Sequence, residues 1–331
     1  MSKQQKTFDL TDLKGKIAIV TGAGNNGIGW GLCKHAAGHL GMHVVAMDLH
    51  KNLVDSAQAR LRSAYPEVKV LGIECDVTKP DELAAALISI ETYFSELEIG
   101  AVFANAGIFF HKTILKSSIE DWSATLNVNV IGVINTIKAF LPKMQLSKND
   151  SIFCTTASVG GLVRGDGGTA SYQASKHAVV SLTESLSFEI ASRSPQIRVH
   201  VLCPCIVESA LLRNSKTNAK EQSGEITAKD IEPSSIETND FAMTTENHAQ
   251  QVFDLIAANK FYIITDNVRP YVEHDYPFEA LAIVSERMEN MLDLTLDNSG
   301  AFPKKSGDVK TATLTGAMFR EAQKRNLQSS K

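Results

Sequence analysis

Seven short apolar runs, rich in β-branched residues, alternate with helical patterns along most of this chain. The runs are Lys16–Thr21, His43–Asp48, Val68–Cys75, Ile99–Ala104, Ser151–Thr156, Ile197–Cys203 and Phe261–Thr265. Helical patterns lie at about 28–40, 51–64, 80–96, 119–146, 170–193 and 245–259. A parallel strand needs a long crossover to return to the same edge of a sheet, and helices usually supply it. The alternation therefore predicts an α/β fold, a doubly wound parallel sheet in three layers.

The same pattern predicts how the chain is divided. Residues 1–265 contain all of these runs and are predicted to form a single main domain. Between about 207 and 243 the sequence becomes polar and loses its period, which is typical of a loop or flap. The weakly periodic residues 266–331 are predicted to form a C-terminal extension, partly helical and ending in a polar tail.

Charge and hydropathy argue against two classes of partner. The net charge is −4, with 44% hydrophobic and 21% charged residues, so neither nucleic acid nor an anionic membrane is expected as a partner. The first residues have no apolar core typical of a signal peptide, and no stretch is expected to reach the ~18 apolar residues of a membrane span. We therefore expect a soluble, intracellular, cytoplasmic protein.

The cysteines and histidines do not predict a metal site. The cysteines are odd in number and have no spacing framework, which predicts reduced and mostly buried thiols; they are Cys33, Cys75, Cys154, Cys203 and Cys205. Cys203 and Cys205 flank one proline, unlike a zinc knuckle. His35, His39 and His43 recur every four residues, but Gly41 is expected to end their helix, so we interpret them as surface histidines.

A glycine-rich segment joins the first predicted strand to the first predicted helix. It reads Thr21-Gly22-Ala23-Gly24-Asn25-Asn26-Gly27-Ile28-Gly29. In this context glycines let backbone N–H groups and a helix N-terminus approach a pyrophosphate, as in Rossmann folds. The residues predicted to bind a dinucleotide cofactor here are Gly22, Gly24, Asn26, Gly27, Ile28 and Gly29.

Asp48 predicts which dinucleotide is bound. It closes the second run and lies 19 residues after Gly29. A carboxylate at the end of this strand can accept hydrogen bonds from both ribose hydroxyls and would repel a 2′-phosphate. The prediction is NAD, with NADP less favoured.

Tyr172 and Lys176 stand four residues apart in a helical pattern, so their side chains share one face. A free tyrosine titrates near pH ~10. A cation about 4 Å away at an effective dielectric of ~20 contributes roughly 4 kcal/mol, equivalent to about 3 pH units in favour of phenolate. The pair is therefore predicted to hold a phenol ready to exchange a proton near neutral pH.

With these motifs in their order, residues 12–265 resemble the short-chain dehydrogenase/reductase family. The glycine segment matches the family's Thr-Gly-rich loop, with one extra residue between Gly22 and Gly27. Asp76, followed by Val77, matches the acidic residue that the family places beside adenine. The signature after the fourth strand is matched by Asn105, Ala106 and Gly107. The resemblance implies that these residues contact the cofactor.

The resemblance also implies a catalytic set of Asn129, Ser158, Tyr172 and Lys176. In the family, the tyrosine exchanges a proton with the substrate oxygen while hydride moves to or from nicotinamide. The serine binds that oxygen, the lysine binds the nicotinamide ribose, and the asparagine holds a water near the lysine. Alternatives in this sequence are Thr155 and Thr156 for the serine, and Asn127 for the asparagine.

After the sixth run the chain reads Pro204-Cys205-Ile206-Val207-Glu208-Ser209, where the family usually has Pro-Gly and a threonine. The resemblance implies that Pro204, Val207 and Ser209 lie beside the carboxamide end of the cofactor. Cysteine in place of glycine restricts the backbone, so a different loop path is expected at Cys205.

The substrate is expected to be an uncharged, moderately hydrophobic alcohol or ketone, because most candidate wall residues are apolar. These residues are Phe109, Phe110, His111, Val159, Leu162, Val163, Leu211, Leu212, Phe241 and Met243. Arg164 or His111 would instead suit an acidic group. Two other functions stay open, a catalytically silent dinucleotide-binding regulator and a lyase or epimerase using bound NAD internally. The family resemblance implies a homodimer or homotetramer formed through helices 119–146 and 170–193.

Overall fold

The computed structural model describes residues 8–24, 26–162, 167–209, 211 and 242–265. Within them, one sheet contains seven parallel strands in the order β3-β2-β1-β4-β5-β6-β7. The strands are β1 Ile17–Thr21, β2 His43–Asp48, β3 Val70–Glu74, β4 Ile99–Ala104, β5 Ser151–Thr156, β6 Ile197–Pro204 and β7 Tyr262–Thr265. This order is that of a doubly wound Rossmann sheet, and it confirms the predicted fold class.

Helices connect the strands and cover both faces of the sheet. They are α1 Ile28–Gly38, α2 Lys51–Ala64, α3 Pro80–Phe94, α4 Ile119–Leu126, α5 Gly132–Met144, α6 Ala170–Ala191 and α7 Thr245–Ala257. Short 3-10 turns occur at Leu10–Leu13 and Val159–Gly161. A π-helical turn, Asn127–Ile131, joins α4 to α5.

Two hydrophobic cores lie on opposite faces of the sheet. Along β5, Phe153 packs in the core shared with α3, α5 and α6, while Ile152 and Cys154 pack in the core shared with α1, α2 and α7. All three are fully buried. Strand side chains alternate between faces, so a strand covered on both sides has a continuous apolar sequence.

The strand order reverses between β1 and β4, where crossovers run to opposite sides of the sheet. At such a switch point the loops after the carboxyl ends of the strands separate and leave a crevice for a ligand. The residues at these ends include Thr21, Asp48 and Ala104. The fold therefore brings the predicted cofactor motifs to one edge of the sheet.

The predicted helix 119–146 needs two corrections. The π-helical turn interrupts it, and by length and composition Ile119–Met144 is apolar enough to cross a membrane, contrary to the sequence prediction. Its most apolar window is 44% buried inside the protein. Because α5 packs against α3 and β4, and α4 packs against α6, this segment has the environment of a core helix.

His35 is also corrected, because it is buried and not at the surface as predicted. Its ring centroid lies 4.5 Å from those of Phe253 and His39, and burial lowers its pKa to about 4. The helix ends at Gly38, and His43 belongs to β2. Among the described residues, no group of three or more His, Cys, Asp or Glu is arranged to hold a metal ion.

The cysteines are free thiols, and four of the five are buried, as predicted. Cys205 is half-buried. Several sequence predictions fall outside the described residues: most of the flap at 207–243, the extension at 266–331, and the residues Asn25, Val163, Arg164, Leu212 and Phe241.

Candidate active site

A cavity of about 700 Å³ lies at the carboxyl edge of the sheet. It extends from the end of β2 to the start of α6. Of the residues predicted to form the site, those that line it are Gly22, Gly27, Ile28, Asp48, Asp76, Val77, Asn105, Ala106, Gly107, Tyr172, Lys176, Pro204 and Ser209. The fold thus gathers motifs that lie up to 187 residues apart in the chain around one space.

The glycine loop packs too closely for side chains at three positions, Gly22, Gly24 and Gly29. Gly22 has a φ of +67°, and a Cβ there would lie 2.8 Å from the Ala106 Cα. A Cβ on Gly29 would lie 2.8 Å from Asn105 Nδ2 and would also overlap the Gly22 carbonyl oxygen. These contacts hold the start of α1 against the end of β4. Gly27, the N-cap of α1, lines the cavity, which suits an anion at the helix N-terminus.

Asp48 stands at the end of β2 and is fixed by the glycine loop. Its Oδ2 accepts the Gly24 N–H at 2.8 Å, and its Oδ1 accepts the Leu49 N–H at 2.9 Å. Burial raises the pKa of this carboxyl, while the two N–H groups act in the opposite direction. Gly24 therefore positions Asp48 and does not itself line the cavity.

Asp76 shapes the loop after β3. Its Oδ1 accepts the Thr78 N–H at 2.9 Å and the Thr78 hydroxyl at 2.7 Å, an Asx turn. The next residue, Val77, lines the cavity, and its carbonyl oxygen accepts Asn135 Nδ2 at 3.0 Å. The turn is thereby tied to α5.

Thr21 is a site residue that sequence reasoning did not single out. Its Oγ1 accepts the N–H groups of Asn105 at 2.9 Å and Ala106 at 3.0 Å. Asn105 Nδ2 donates back to the Thr21 carbonyl at 3.0 Å, and Asn105 Oδ1 accepts the Thr156 hydroxyl at 3.2 Å. This network joins β1, β4 and β5. The signal was present, because Thr21 directly precedes the glycine loop.

Of the four proposed catalytic residues, Tyr172 and Lys176 line the cavity, whereas Ser158 and Asn129 are not among its lining residues. The Ser158 side chain lies close enough to Tyr172 to act on its pKa as a hydrogen-bond partner. Lys176 is 3% exposed; its Nζ donates to the Thr156 carbonyl at 2.8 Å and lies 5.5 Å from the centre of the Tyr172 ring. Ser158 Oγ also accepts the Gly160 N–H at 3.1 Å, which fixes its orientation.

The sequence pattern predicted a lowered pKa for Tyr172, and this direction is wrong. Burial raises the pKa of Tyr172 to about 12, and the hydrogen bond from Ser158 offsets this only in part. Burial also lowers the pKa of Lys176 to about 8. The ammonium donates to a backbone carbonyl, and desolvation is the largest influence on the pKa of both side chains.

Asn129 lies behind the cavity wall and is fully buried. Its Oδ1 accepts the Ile108 N–H at 2.8 Å, and its Nδ2 donates to the Ile108 carbonyl at 3.0 Å and to Ser175 Oγ at 2.9 Å. The alternative, Asn127, lines the cavity. The π-helical turn carries both residues, a feature often found at functional sites.

The two threonines considered in place of Ser158 have other roles. Thr155 is fully buried and shares a 2.7 Å hydrogen bond with Thr183. Thr156 lines the cavity, but its hydroxyl donates to Asn105 Oδ1 and its carbonyl accepts a hydrogen bond from Lys176. Neither hydroxyl is paired with Tyr172.

The loop after β6 is hydrogen-bonded to β7 at Cys205. The Cys205 N–H donates to the Thr265 carbonyl at 3.1 Å, and Cys205 has no positive φ, so a glycine is not required there. Pro204 and Ser209 line the cavity. Val207 instead forms a parallel bridge with Met243.

The predicted substrate walls separate into three groups. Phe110 and Leu211 line the cavity, together with Ile108. Phe109 packs edge-on against Tyr172, with 5.1 Å between ring centroids. Leu162 packs against the core and Met243 is buried, so these two support the site from outside.

The sheet order, the glycine loop at the switch point and the lined cavity define a dinucleotide-binding α/β oxidoreductase. The family model described as short chain dehydrogenase matches residues 16–220. The chain belongs to the short-chain dehydrogenase/reductase family and is an NAD(P)-dependent dehydrogenase or reductase of small molecules. The close glycine approach and the carboxylate at β2 fit such a cofactor.

Relatives and a solved structure agree with this assignment. Meso-2,3-butanediol dehydrogenase of Serratia marcescens is 32% identical over 194 residues, covering 59% of this chain and 72% of that protein. The 3-oxoacyl-acyl-carrier-protein reductase of Thermotoga maritima is 29% identical over 209 residues, covering 63% and 81%. A short-chain dehydrogenase/reductase from Burkholderia phymatum, solved in complex with NAD, is 27% identical with a TM-score of 0.66, covering 89% of this chain and 99% of that chain.

Proposed function

We propose that the protein transfers hydride between NAD and a secondary alcohol or ketone of moderately hydrophobic character, with Tyr172 as the general acid and base. One observation carries the proposal. Tyr172 and Lys176 line the cavity that also contains Asp48, and Ser158 acts on the Tyr172 hydroxyl as a hydrogen-bond partner.

Each side chain has a distinct role in the proposed reaction. Ser158 donates a hydrogen bond to the substrate oxygen, which counts most as negative charge develops on it. Tyr172 gives its proton to that oxygen in reduction and takes it in oxidation. Bound NAD supplies the hydride acceptor. The raised pKa of Tyr172 favours the protonated phenol at neutral pH, the form that serves carbonyl reduction.

Two supporting residues are assigned from their contacts. Lys176 holds the cofactor ribose and provides positive charge near the phenol, and its lowered pKa lets the amine lose a proton readily. Asn129 stabilises the β4 loop through Ile108. A Cβ placed on Gly107 would be 3.2 Å from Asn129 Oδ1 and 3.3 Å from Lys176 Nζ. These two polar atoms therefore border the same small space beside Gly107. That space suits the proposed water between the two side chains.

We infer NAD over NADP from Asp48. Its carboxylate lines the cavity beside Leu49, His50 and Leu53 and is anchored by Gly24. An anchored negative charge would repel a 2′-phosphate. The apolar walls formed by Ile108, Phe110 and Leu211 support an uncharged substrate. The similarity to a meso-2,3-butanediol dehydrogenase supports a small secondary alcohol.

The test is NADH formation from NAD with a panel of secondary alcohols, including meso-2,3-butanediol and cyclohexanol. We expect turnover by the parent protein and a loss of at least about 100-fold in Tyr172→Phe, because a lost general acid and base typically costs about 10²–10⁴-fold. Tyr93→Phe, at a 41% exposed tyrosine, is the matched control. A Tyr172→Phe protein as fast as the parent would overturn the assignment.

The same assay separates the alternative functions. A lyase or epimerase would form product without net NADH. A silent regulator would bind NAD and convert none of the alcohols.

We also infer a cytoplasmic homo-oligomer. Free cysteines agree with a reducing compartment. Exposed apolar side chains on the α4–α5 segment and α6 support pairing through these helices; Ile131 is 43% and Phe188 45% exposed. Light scattering of Phe188→Glu should report smaller particles than those of the parent. An unchanged mass would place the contact elsewhere.

A further inference from the structure

The loop after β4 is fixed at both ends to the elements that carry the proposed catalytic residues. At its start, the backbone of Ile108 exchanges two hydrogen bonds with Asn129, at 2.8 and 3.0 Å. At Lys112, the N–H donates to the Gly168 carbonyl at 2.9 Å, just before α6. Lys112 Nζ also lies 2.9 and 2.8 Å from the carboxylate oxygens of the buried Asp121. The segment between Ile108 and Lys112 therefore has little freedom.

Phe109 lies inside this fixed segment and contacts Tyr172. The two ring centroids are 5.1 Å apart and the ring planes meet at 85°, an edge-to-face arrangement. Phe109 is 5% exposed, and its ring covers part of the ring of Tyr172, which is itself half-buried. Edge-to-face pairs of aromatic rings also have a preferred geometry. Tyr172 is thus held at its hydroxyl by Ser158 and along its ring by Phe109.

Phe109 and Phe110 differ in where they act, although they are neighbours. Phe110 lines the cavity, whereas Phe109 is not one of the residues that line it. A bound substrate would therefore contact Phe110 directly. Phe109 reaches the reaction only through Tyr172.

We propose that Phe109 is a positioning residue, which fixes the plane of the Tyr172 ring and shields it from water. The inference rests on the proposed function of Tyr172 as the general acid and base. A small tilt of the ring moves the hydroxyl away from the substrate oxygen, and misplacement by about 1 Å can cost ~100-fold in rate.

The first test compares Phe109→Leu and Phe109→Met with the parent in the alcohol assay. We expect kcat to fall about tenfold while the KM values for NAD and alcohol stay within about twofold, because a transition-state alignment is lost and binding is not. Phe109→Tyr keeps the aromatic edge and should recover most of kcat. A fall in stability without a fall in kcat would overturn the proposal.

Two matched controls locate the effect. Phe153→Leu truncates a fully buried phenylalanine of β5 in the core, and should lower the melting temperature while leaving kcat near that of the parent. Phe110→Leu changes a cavity wall and should raise the KM for the alcohol. Equal losses of kcat in Phe109→Leu and Phe153→Leu would reduce Phe109 to a structural role and overturn the proposal.

A second measurement needs no substrate. Ultraviolet difference titration, with Tyr172→Phe proteins as the reference, reports the ionisation of Tyr172. Because burial raises the pKa of Tyr172 to about 12, Phe109→Met should lower that pKa by admitting water. An unchanged pKa together with an unchanged kcat would overturn the positioning role even if alcohol oxidation is found. A lowered pKa in a protein inactive on every alcohol would support the shielding of Tyr172 by Phe109 and contradict the proposed function.

Discussion

Buried polar side chains around the cavity form hydrogen bonds mostly with nearby backbone groups. Thr21 Oγ1 accepts two backbone N–H groups from the residues after β4. Asn129 uses both amide hydrogens and its oxygen within the protein. A buried polar atom that loses its partner costs about 1–3 kcal/mol. Single substitutions here should therefore lower the free energy of unfolding as well as the activity.

Ser175→Ala tests this at one hydroxyl. Ser175 is fully buried; its Oγ accepts Asn129 Nδ2 at 2.9 Å and donates to the Tyr172 carbonyl at 2.6 Å. Alanine leaves one amide hydrogen of Asn129 unpaired, and the free energy of unfolding should fall by about 1–3 kcal/mol in urea titrations. Ser185→Ala, at an exposed serine of the same helix, should change it by less than about 0.5 kcal/mol. Equal effects would contradict the argument.

Asp48→Asn tests cofactor choice. Asparagine keeps an acceptor for the Gly24 N–H and removes the charge that disfavours a 2′-phosphate. We expect the ratio of kcat/KM for NADP to that for NAD to rise at least about tenfold, since a tenfold change requires only about 1.4 kcal/mol. Asp55→Asn removes an exposed carboxylate on α2 and serves as control. An unchanged ratio would mean that Asp48 does not discriminate between the cofactors.

At the scale of the elements, apolar periodicity predicted every strand, with at most two residues of error at an end. Val68–Cys75 was predicted where β3 is Val70–Glu74. The π-helical turn was not predictable, because it comes with contacts distant in sequence: Gly132 packs against Val77 and Asn129 pairs with Ile108. The direction of the Tyr172 pKa was missed for the same reason. Helical spacing gives neighbours on one face, whereas burial depth depends on elements far along the chain.

The junction of the glycine loop with α1 should be sensitive to one methyl group. A Cβ on Gly29 would overlap the Gly22 carbonyl and crowd Asn105. Gly29→Ala should lower the free energy of unfolding by about 1–3 kcal/mol and weaken NAD binding, measured by urea titration and calorimetry. Gly167→Ala, where an added Cβ has nothing within 4 Å, is the control. Normal NAD affinity in Gly29→Ala would contradict this geometry.

For the whole molecule, three buried histidines connect folding to pH: His35, described above, and the two at positions 200 and 248. Burial lowers the pKa values of His200 and His248 from 6.5 to about 4. Both are at most 1% exposed, and neither Nε2 has a hydrogen-bond partner among the described residues. Because the unfolded chain takes up these protons first, stability is complete above about pH 6.5 and falls as pH is lowered towards 4.

The loss should be measurable by urea unfolding at pH 7 and pH 5. Each histidine contributes on the order of 3 kcal/mol over the full range between the two pKa values. Asparagine in place of His200 keeps a donor for the Lys260 carbonyl and cannot titrate, so this variant should show a shallower fall with acid. An unchanged pH slope would mean that His200 is not one of the groups responsible.

Phe8 and Thr265 lie at opposite ends of the parallel strands. Phe8 donates its N–H to Ala257, at the end of α7, whereas the Thr265 carbonyl accepts the N–H of Cys205, next to the cavity-lining Pro204. A reporter attached close to Phe8 would therefore lie at the end of the sheet away from the cavity mouth. A reporter attached close to Thr265 would lie beside that mouth and compete with an entering substrate.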